Sequence, residues 1–331
     1  MLPQPSATAV SLVETIRFLS RPESYPDGPE SVFMLETHFS YVFLTDDQVY
    51  KLKKPQRYPF VDLSSLSARR ANCHEEVRLN RRLAPGIYLG VATLRRTPDG
   101  QLALDEAGET VDYLVHMRRL DDRLNLERQL REGHPRESEL DLAAERLVAF
   151  YLESAPTSGV DPTARRMLHE EHAAELDALL GNDKGSRLKG RLLAWLDGNS
   201  AVLARRRELE VHGDLRPEHI DLGPTPCMID RLEFNPRFRR LDPLEELAFL
   251  ALECDRLGQR WVGERFLRYY LDRTGDRPPD QLEPYYQAGR ALLWALLGAR
   301  HLATQPEHSE RWRRKADWYI EKGFNLMTNL L

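Results

Sequence analysis

The sequence predicts an α+β chain of two lobes, a small antiparallel β-rich lobe over residues 1–117 and a larger, mostly helical lobe over 118–331. Short apolar runs bounded by turn signals crowd residues 32–117. From residue 118 onward apolar positions recur at helical spacing instead. One stretch, 211–235, interrupts the helical part: Val211-His212-Gly213-Asp214-Leu215, then Ile220 and Leu222, the turn Gly223-Pro224-Thr225-Pro226, and Cys227-Met228-Ile229-Asp230. It reads as a loop and two short strands of a hairpin, with an aspartate at each end.

Residues 7–20 read as an amphipathic helix through Val10, Leu12, Val13, Ile16, Phe18 and Leu19, ended by Arg21-Pro22. Segments 32–39, 41–44 and 49–52 alternate as strands, with Thr45-Asp46-Asp47-Gln48 as a tight turn. Along the last strand Tyr50 and Leu52 face one way, and Val49, Lys51 and Lys53 the other. Residues 66–83 are helical and stop at Pro85-Gly86. Segments 88–93, 102–104 and 111–117 complete the antiparallel lobe, with Thr97-Pro98-Asp99-Gly100 as a hairpin turn. Helices are expected at 124–131, 137–153, 163–180 and 185–207, and after the motif at 244–256, 259–273, 282–303 and 307–328.

Charged residues make up 30% and hydrophobic residues 41%, as in soluble globular proteins. The net charge of −5 speaks against a nucleic-acid surface. Cys73, Cys227 and Cys254 are far apart and form no C-x-x-C pair, which suits a reducing cytosol. Met1-Leu2-Pro3-Gln4-Pro5 lacks the features of a secretion signal, and the apolar stretch at 291–299 is too short to span a bilayer. The expectation is a cytoplasmic chain with no membrane and no nucleic-acid partner.

The two aspartates suggest the chemistry. Phosphoryl transfer uses one aspartate to take up or orient the acceptor hydroxyl and a second to hold Mg²⁺ against the phosphates. Asp214 and Asp230 have the order, and nearly the spacing, of H-R-D-x-x-x-x-N followed by D-F-G. Such chemistry also needs a strand lysine facing the phosphates, with an apolar residue two before it. Lys51 after Val49 fits, with Lys53 as the alternative; an edge of solvated lysines at 51, 53 and 54 is the plain reading. Its partner glutamate belongs on the next helix. Glu76 shares a face with Leu79, Asn80 and Leu83, whereas Glu75 points to water and can pair with Arg78 or Arg82.

His212-Gly213-Asp214 resembles the catalytic loop of the aminoglycoside phosphotransferase family, small-molecule kinases with a protein-kinase-like fold. The resemblance implies Asp214 as catalytic base and Asp230 as the Mg²⁺ ligand. It also implies a hinge at 115–118, placed here at Val115 and Met117, whose backbone meets the adenine ring. Five residues after Asp214, where the family has a metal-binding Asn, this chain has His219. Further segments, 36–44, 49–55, 78–85 and 233–239, resemble a bacterial subgroup of such proteins, in many of which a P-loop domain follows. No G-x-x-x-x-G-K-[S/T] occurs here, so the domain is expected to stand alone. The implied activity is an ATP- or GTP-dependent kinase using Mg²⁺, with a sugar, amino alcohol or aminoglycoside-like acceptor. A nucleotide-binding pseudokinase is the alternative, supported by His219. A protein kinase fits less well, since no A-P-E segment follows Asp230.

Other residues near the motif have open roles. Arg216 can neutralise the transferring phosphoryl group, or pair with Asp214 or Glu218. Glu233 is either a second acid near the metal or a partner of Arg237 or Arg239. His219 can ligate an ion through a ring nitrogen, although Mg²⁺ prefers oxygen, or only form hydrogen bonds. Asp242 and Glu246 are expected to cap and brace a helix.

Overall fold

Ser11 accepts the N–H of Glu14 while the Glu14 carboxylate accepts that of Ser11, a capping box that starts helix α1 (Leu12–Leu19). The structure, a computed structural model, describes residues 10–133, 135–304, 306–328 and 330. Residues 7–9 of the expected first helix, and the first five residues, lie outside that set. The chain divides into two units. One runs from the first described residue through Leu124 and takes back Cys227–Asn235; the other holds Asn125–Pro226 and Pro236 onward. This is not the single cut expected at 117/118.

The first unit is built on strands β1 (Phe33–Glu36), β2 (Ser40–Leu44), β3 (Gln48–Lys53), β4 (Arg57–Tyr58), β5 (Val61–Asp62), β6 (Tyr88–Arg96), β7 (Leu102–Leu104) and β8 (Glu109–Arg118). Six of them form one antiparallel sheet in the order β1-β2-β3-β8-β6-β7. The chain folds back at 37–39 between the first two of them. Thr37 donates its N–H to the Ser40 carbonyl at 2.8 Å and accepts the Ser40 N–H on its hydroxyl, so β1 and β2 pair as a hairpin.

Alternation along β3 sorts its side chains onto the two faces of the sheet. Tyr50 and Leu52 join Leu19, Phe43, Leu94 and Leu114 on one face. Val49 joins Cys73 and Val77 of helix α2 (Leu66–Asn80), with Tyr88, Val115 and Met117, on the other. Arg69 of α2 clasps Asp112 of β8 through Nε, 2.9 and 3.0 Å from its two carboxylate oxygens, which fixes α2 on that face. Cys227 and Ile229 pack into the same core. Arg231 N–H donates to Asn80 Oδ1 at 2.8 Å and Met228 N–H to the Leu83 carbonyl at 3.3 Å. These contacts attach Cys227–Asn235 to the first unit.

The second unit contains helices α3 (Leu126–Glu132), α4 (Glu137–Glu153), α5 (Pro162–Leu180), α6 (Lys184–Ala204), α7 (Pro243–Arg256), α8 (Arg260–Thr274), α9 (Leu282–Thr304) and α10 (Ser309–Thr328). Their ends follow local chemistry: Asn125, Asp161 and Asp242 cap, Pro162 and Pro243 open the first turns, and Gly133, Gly181 and Gly275 end helices in the left-handed conformation. A small sheet joins Pro156–Gly159, Arg207–Glu210 and Arg240–Leu241. Helix α7 is buried continuously from Pro243 to Cys254 and is the spine of this unit.

Helix α8 approaches α7 so closely that a Cβ on Gly263 would lie 2.3 Å from the Ala251 Cα. Gly263→Ala should therefore cost about 1–3 kcal/mol through overpacking. Gly190→Ala on α6, where an added Cβ meets nothing within 4 Å, should be neutral or stabilising by about 0.4–1 kcal/mol. Urea unfolding midpoints of the two variants check this; equal effects would refute the close-packing account.

Candidate active site

The candidate residues fall into two clusters of ionisable groups, one in each unit. In the first, the faces of β3 and α2 bring two lysines to one carboxylate. Lys51 Nζ donates to Glu76 Oε1 at 2.8 Å, and Lys53 Nζ donates to Glu76 Oε2. Lys51 also reaches Asp230 Oδ1 at 2.6 Å, and Lys53 reaches Glu233 Oε1 at 2.6 Å. Both candidate lysines thus point inward, and neither belongs to a solvated edge. Glu75 faces outward and pairs with Arg78 at 2.7 Å. Glu233 pairs with Lys53, an option the sequence reading did not include, while Arg239 pairs with Glu210 at 3.1 Å.

Three carboxylates share two ammonium groups here, and only Asp230 is substantially open to solvent. Its side chain is 38% exposed, against 2% for Glu76 and 6% for Glu233. Burial opposes the charge on Glu76, but Lys51 and Lys53 outweigh it and hold the carboxyl below its ordinary range. Burial works against Lys51 too, yet Asp230 and Glu76 raise it well above the usual lysine value. Glu233 goes the other way: burial, together with Glu76 sharing Lys53, pushes it up to about 7. Asp230 itself has φ +60°, a left-handed conformation that aspartate tolerates better than most residues. Its N–H donates to the Tyr88 hydroxyl at 3.0 Å. Tyr88 and Asn80, which together hold this turn, were not singled out from the sequence. Their pairing spans well over a hundred residues and leaves no local signal.

Val115 and Met117, expected at the hinge, are core residues of β8. Through this stretch β8 is paired on both edges, Val115 with Lys51 and Val91, Met117 with Val49 and Tyr88. The Arg118 N–H is taken by the Ile87 carbonyl and the Arg119 N–H by that of Asp47. An adenine-reading backbone at 115–117 is therefore already used by the sheet, and any hinge role moves past Arg118.

The second cluster is the loop 212–219. Gly213 turns it at φ +94°. Glu246 of α7, expected to brace its own helix, instead accepts the N–H groups of His212 at 3.1 Å and Gly213 at 2.5 Å. Tyr151 donates its hydroxyl to the same carboxylate at 2.6 Å. Burial raises Glu246 above the usual range despite these bonds. Asp242 does cap α7, accepting the Leu244 N–H at 3.0 Å, and also pairs with Arg206 at 2.7 Å.

Arg216 Nη2 lies 2.8 Å from Asp214 Oδ2, and Nη1 lies 2.5 Å from Glu218 Oε1. Burial opposes the charge on Asp214, but Arg216 and His219 hold its carboxyl below the usual range. His219 Nδ1 sits 2.8 Å from the Asp214 carbonyl, and Nε2 sits 3.3 Å from Arg216 Nη2. A carbonyl only accepts, so Nδ1 carries a hydrogen, while Nε2 faces Arg216 with Glu218 Oε1 3.7 Å away. His219 orders the loop in this arrangement through contacts of both ring nitrogens. Among the described residues no group of three or more His, Cys, Asp or Glu is placed to hold a metal.

No protein-family model matches the chain. Curated relatives are uncharacterized proteins of Mycobacterium tuberculosis (strain ATCC 25618 / H37Rv) and Mycobacterium bovis. Each is 32% identical over 275 residues, covering 78% of this chain and 53% of the relative, so the chain spans about half their length. Among solved structures, APH(2″)-IIia with GDP and kanamycin superposes with a TM-score of 0.58 at 17% identity, covering 95% of this chain and 99% of that one. A choline/ethanolamine kinase family protein from Mesorhizobium loti gives 0.55 at 17%, covering 95% and 94%. Choline kinase from Cryptosporidium parvum gives 0.54 at 12%, covering 95% and 96%. The chain has the protein-kinase-like fold of the aminoglycoside phosphotransferases and choline kinases.

Removing the carboxylate shared by two buried lysines leaves charge without compensation. Glu76→Ala should cost about 3–5 kcal/mol of stability, whereas Glu75→Ala, on the exposed face, should stay within about 0.5 kcal/mol of wild type. Equilibrium urea unfolding measures both, and similar small effects would show that the buried network contributes little.

Proposed function

We propose that this chain is a nucleotide-dependent phosphotransferase that phosphorylates a hydroxyl of a small molecule. The observation that carries the proposal is the convergence of Lys51, Glu76 and Asp230. A strand lysine held by a helix glutamate beside a solvent-open aspartate is the arrangement that phosphate and Mg²⁺ binding needs. Lys51, oriented by Glu76, neutralises the nucleotide phosphates. Asp230 supplies the carboxylate for Mg²⁺, an ion that takes one or two protein carboxylates and fills its other positions with phosphate oxygens and water. When bound, the ion would neutralise charge that develops on the transferring group. Val115 and Met117 support the adenine pocket from the core, and the backbone after Arg118 reads the base.

Asp214 receives the acceptor. Its depressed pKa, set by Arg216 and His219 against burial, keeps it ionised at neutral pH, so it orients the hydroxyl and takes up the proton as transfer proceeds. Arg216, fixed between Asp214 and Glu218, is placed to neutralise phosphoryl charge. ATP and GTP are both open as donors, and the structural neighbours include one bound to GDP and kanamycin. A sugar, amino alcohol or aminoglycoside-like alcohol in the cytoplasm is the acceptor class of this reading. No described helix is long and apolar enough to cross a membrane. The length of the mycobacterial relatives supports the resemblance to proteins that join such a domain to a second one.

A pseudokinase is the second reading, and one observation favours it: both ring nitrogens of His219, at the family's metal-ligand position, are engaged within the loop. Calorimetry with ATP and GTP, with and without Mg²⁺, followed by an acceptor screen with a coupled nucleoside-diphosphate assay, separates the two. On the kinase reading Asp230→Ala abolishes Mg²⁺-dependent nucleotide binding. Asp214→Asn then lowers kcat by about 10²–10⁴-fold while leaving nucleotide affinity near wild type. Nucleotide binding that ignores Mg²⁺ and Asp230, with no turnover of any alcohol, would favour the pseudokinase.

A further inference from the structure

Trp294 of α9 carries two cations on its indole. The Arg216 guanidinium carbon lies 4.8 Å from the ring centroid, and Lys315 Nζ of α10 lies 5.0 Å from it. Trp312 and Tyr319, on the same face of α10 as Lys315, bring their rings to 5.6 and 6.0 Å from that ammonium. The nearby carboxylates are already engaged: Glu218 by Arg216 at 2.5 Å, and Glu253 by Arg256 at 2.8 Å and by the Tyr319 hydroxyl. Lys315 makes no ion pair among the described residues. Burial, with Arg256 and Arg216 adding to it, holds its ammonium below the ordinary lysine range although Glu253 pulls the other way.

A second observation points to the same place. Arg216 Nε is buried and has no hydrogen-bond partner among the described residues. Buried donors in native proteins are satisfied, and a π face compensates a desolvated ammonium only in part. A guanidinium N–H without an acceptor and an ammonium without a carboxylate, both against one indole, have one common complement. It is an anion.

We propose that Lys315 and Arg216 Nε form an anion subsite beside Asp214, and that the acceptor alcohol carries a carboxylate or a phosphate received there. This deepens the phosphotransferase reading and rests on Asp214 marking the acceptor end. Lys315 is then a specificity residue, held in place by three rings.

The test uses binding alone, so it does not depend on turnover. Glycerol 3-phosphate and glycerate serve as anionic alcohols, with glycerol and ethanolamine as neutral and cationic controls, titrated into the full chain by calorimetry. The expected result is anionic probes binding at least about tenfold tighter than the controls. Lys315→Gln should lose that preference, and Lys315→Arg should keep it; the thermal melt of each variant confirms folding. Equal affinity for all four probes, or a preference that survives Lys315→Gln, overturns the proposal. So does displacement of the anion by a non-hydrolysable nucleotide, which would assign the subsite to nucleotide phosphate. Anion binding without kinase activity would count against the phosphotransferase reading and leave the subsite intact; kinase activity without anion binding would do the reverse.

Discussion

The first unit depends on one carboxylate held between two buried ammonium groups. Glu76 cannot be left alone in that environment, and neither can Lys51 or Lys53, since an unpaired buried charge costs several kcal/mol. The requirement reaches outward in both directions. Lys51 and Lys53 can both meet Glu76 only because a strand places residues two apart on one face. Each lysine has capacity left after Glu76, and Asp230 and Glu233 use it. A segment remote in sequence is thereby tied to the sheet at two points three residues apart. The left-handed turn at Asp230 and the bonds to Tyr88 and Asn80 complete the attachment.

The second unit fixes its loop in a related way. A buried helix carboxylate, Glu246, accepts two consecutive backbone N–H groups that a tight turn at Gly213 leaves without secondary-structure partners. Helix α7 suits this role because it is enclosed along nearly its whole length. Its other glutamates are likewise spent on fixed partners, Glu245 on Arg165 and Arg290, and Glu253 on Arg256. The helix reads as apolar with acidic interruptions, and every interruption named here is an anchor.

What the sequence made legible follows from range. The helix ends expected at 163, 180, 244 and 273 fall within a residue of the observed ones because caps and breakers act within a turn. The faces of β3 and α2 were readable because periods of two and 3.6 residues sort side chains without knowledge of the partner. That is why Lys51 and Glu76 were paired correctly in space and Glu75 was set aside. Lys53–Glu233, Glu246 with the loop N–H groups, and Asn80 with Arg231 were not legible, since each joins residues brought together only by the fold. Val115 and Met117 show a related limit: a strand leading into a hinge looks the same in sequence whether one edge or both are paired, and here both are.

Exposure, more than charge, decides which acid of the first cluster can meet a ligand. Glu76 and Glu233 are enclosed and committed to lysines, so an incoming cation would have to break buried pairs to reach them. Asp230 is bound to Lys51 through Oδ1, and its side chain is open to water. His219 follows the opposite logic. An amide at its position could offer an oxygen to a metal while its N–H₂ bonded the loop, whereas the imidazole turns Nδ1 to the Asp214 carbonyl and Nε2 to Arg216. The imidazole therefore braces the loop, and in the proposed reading the metal chemistry rests on Asp230 and the phosphates.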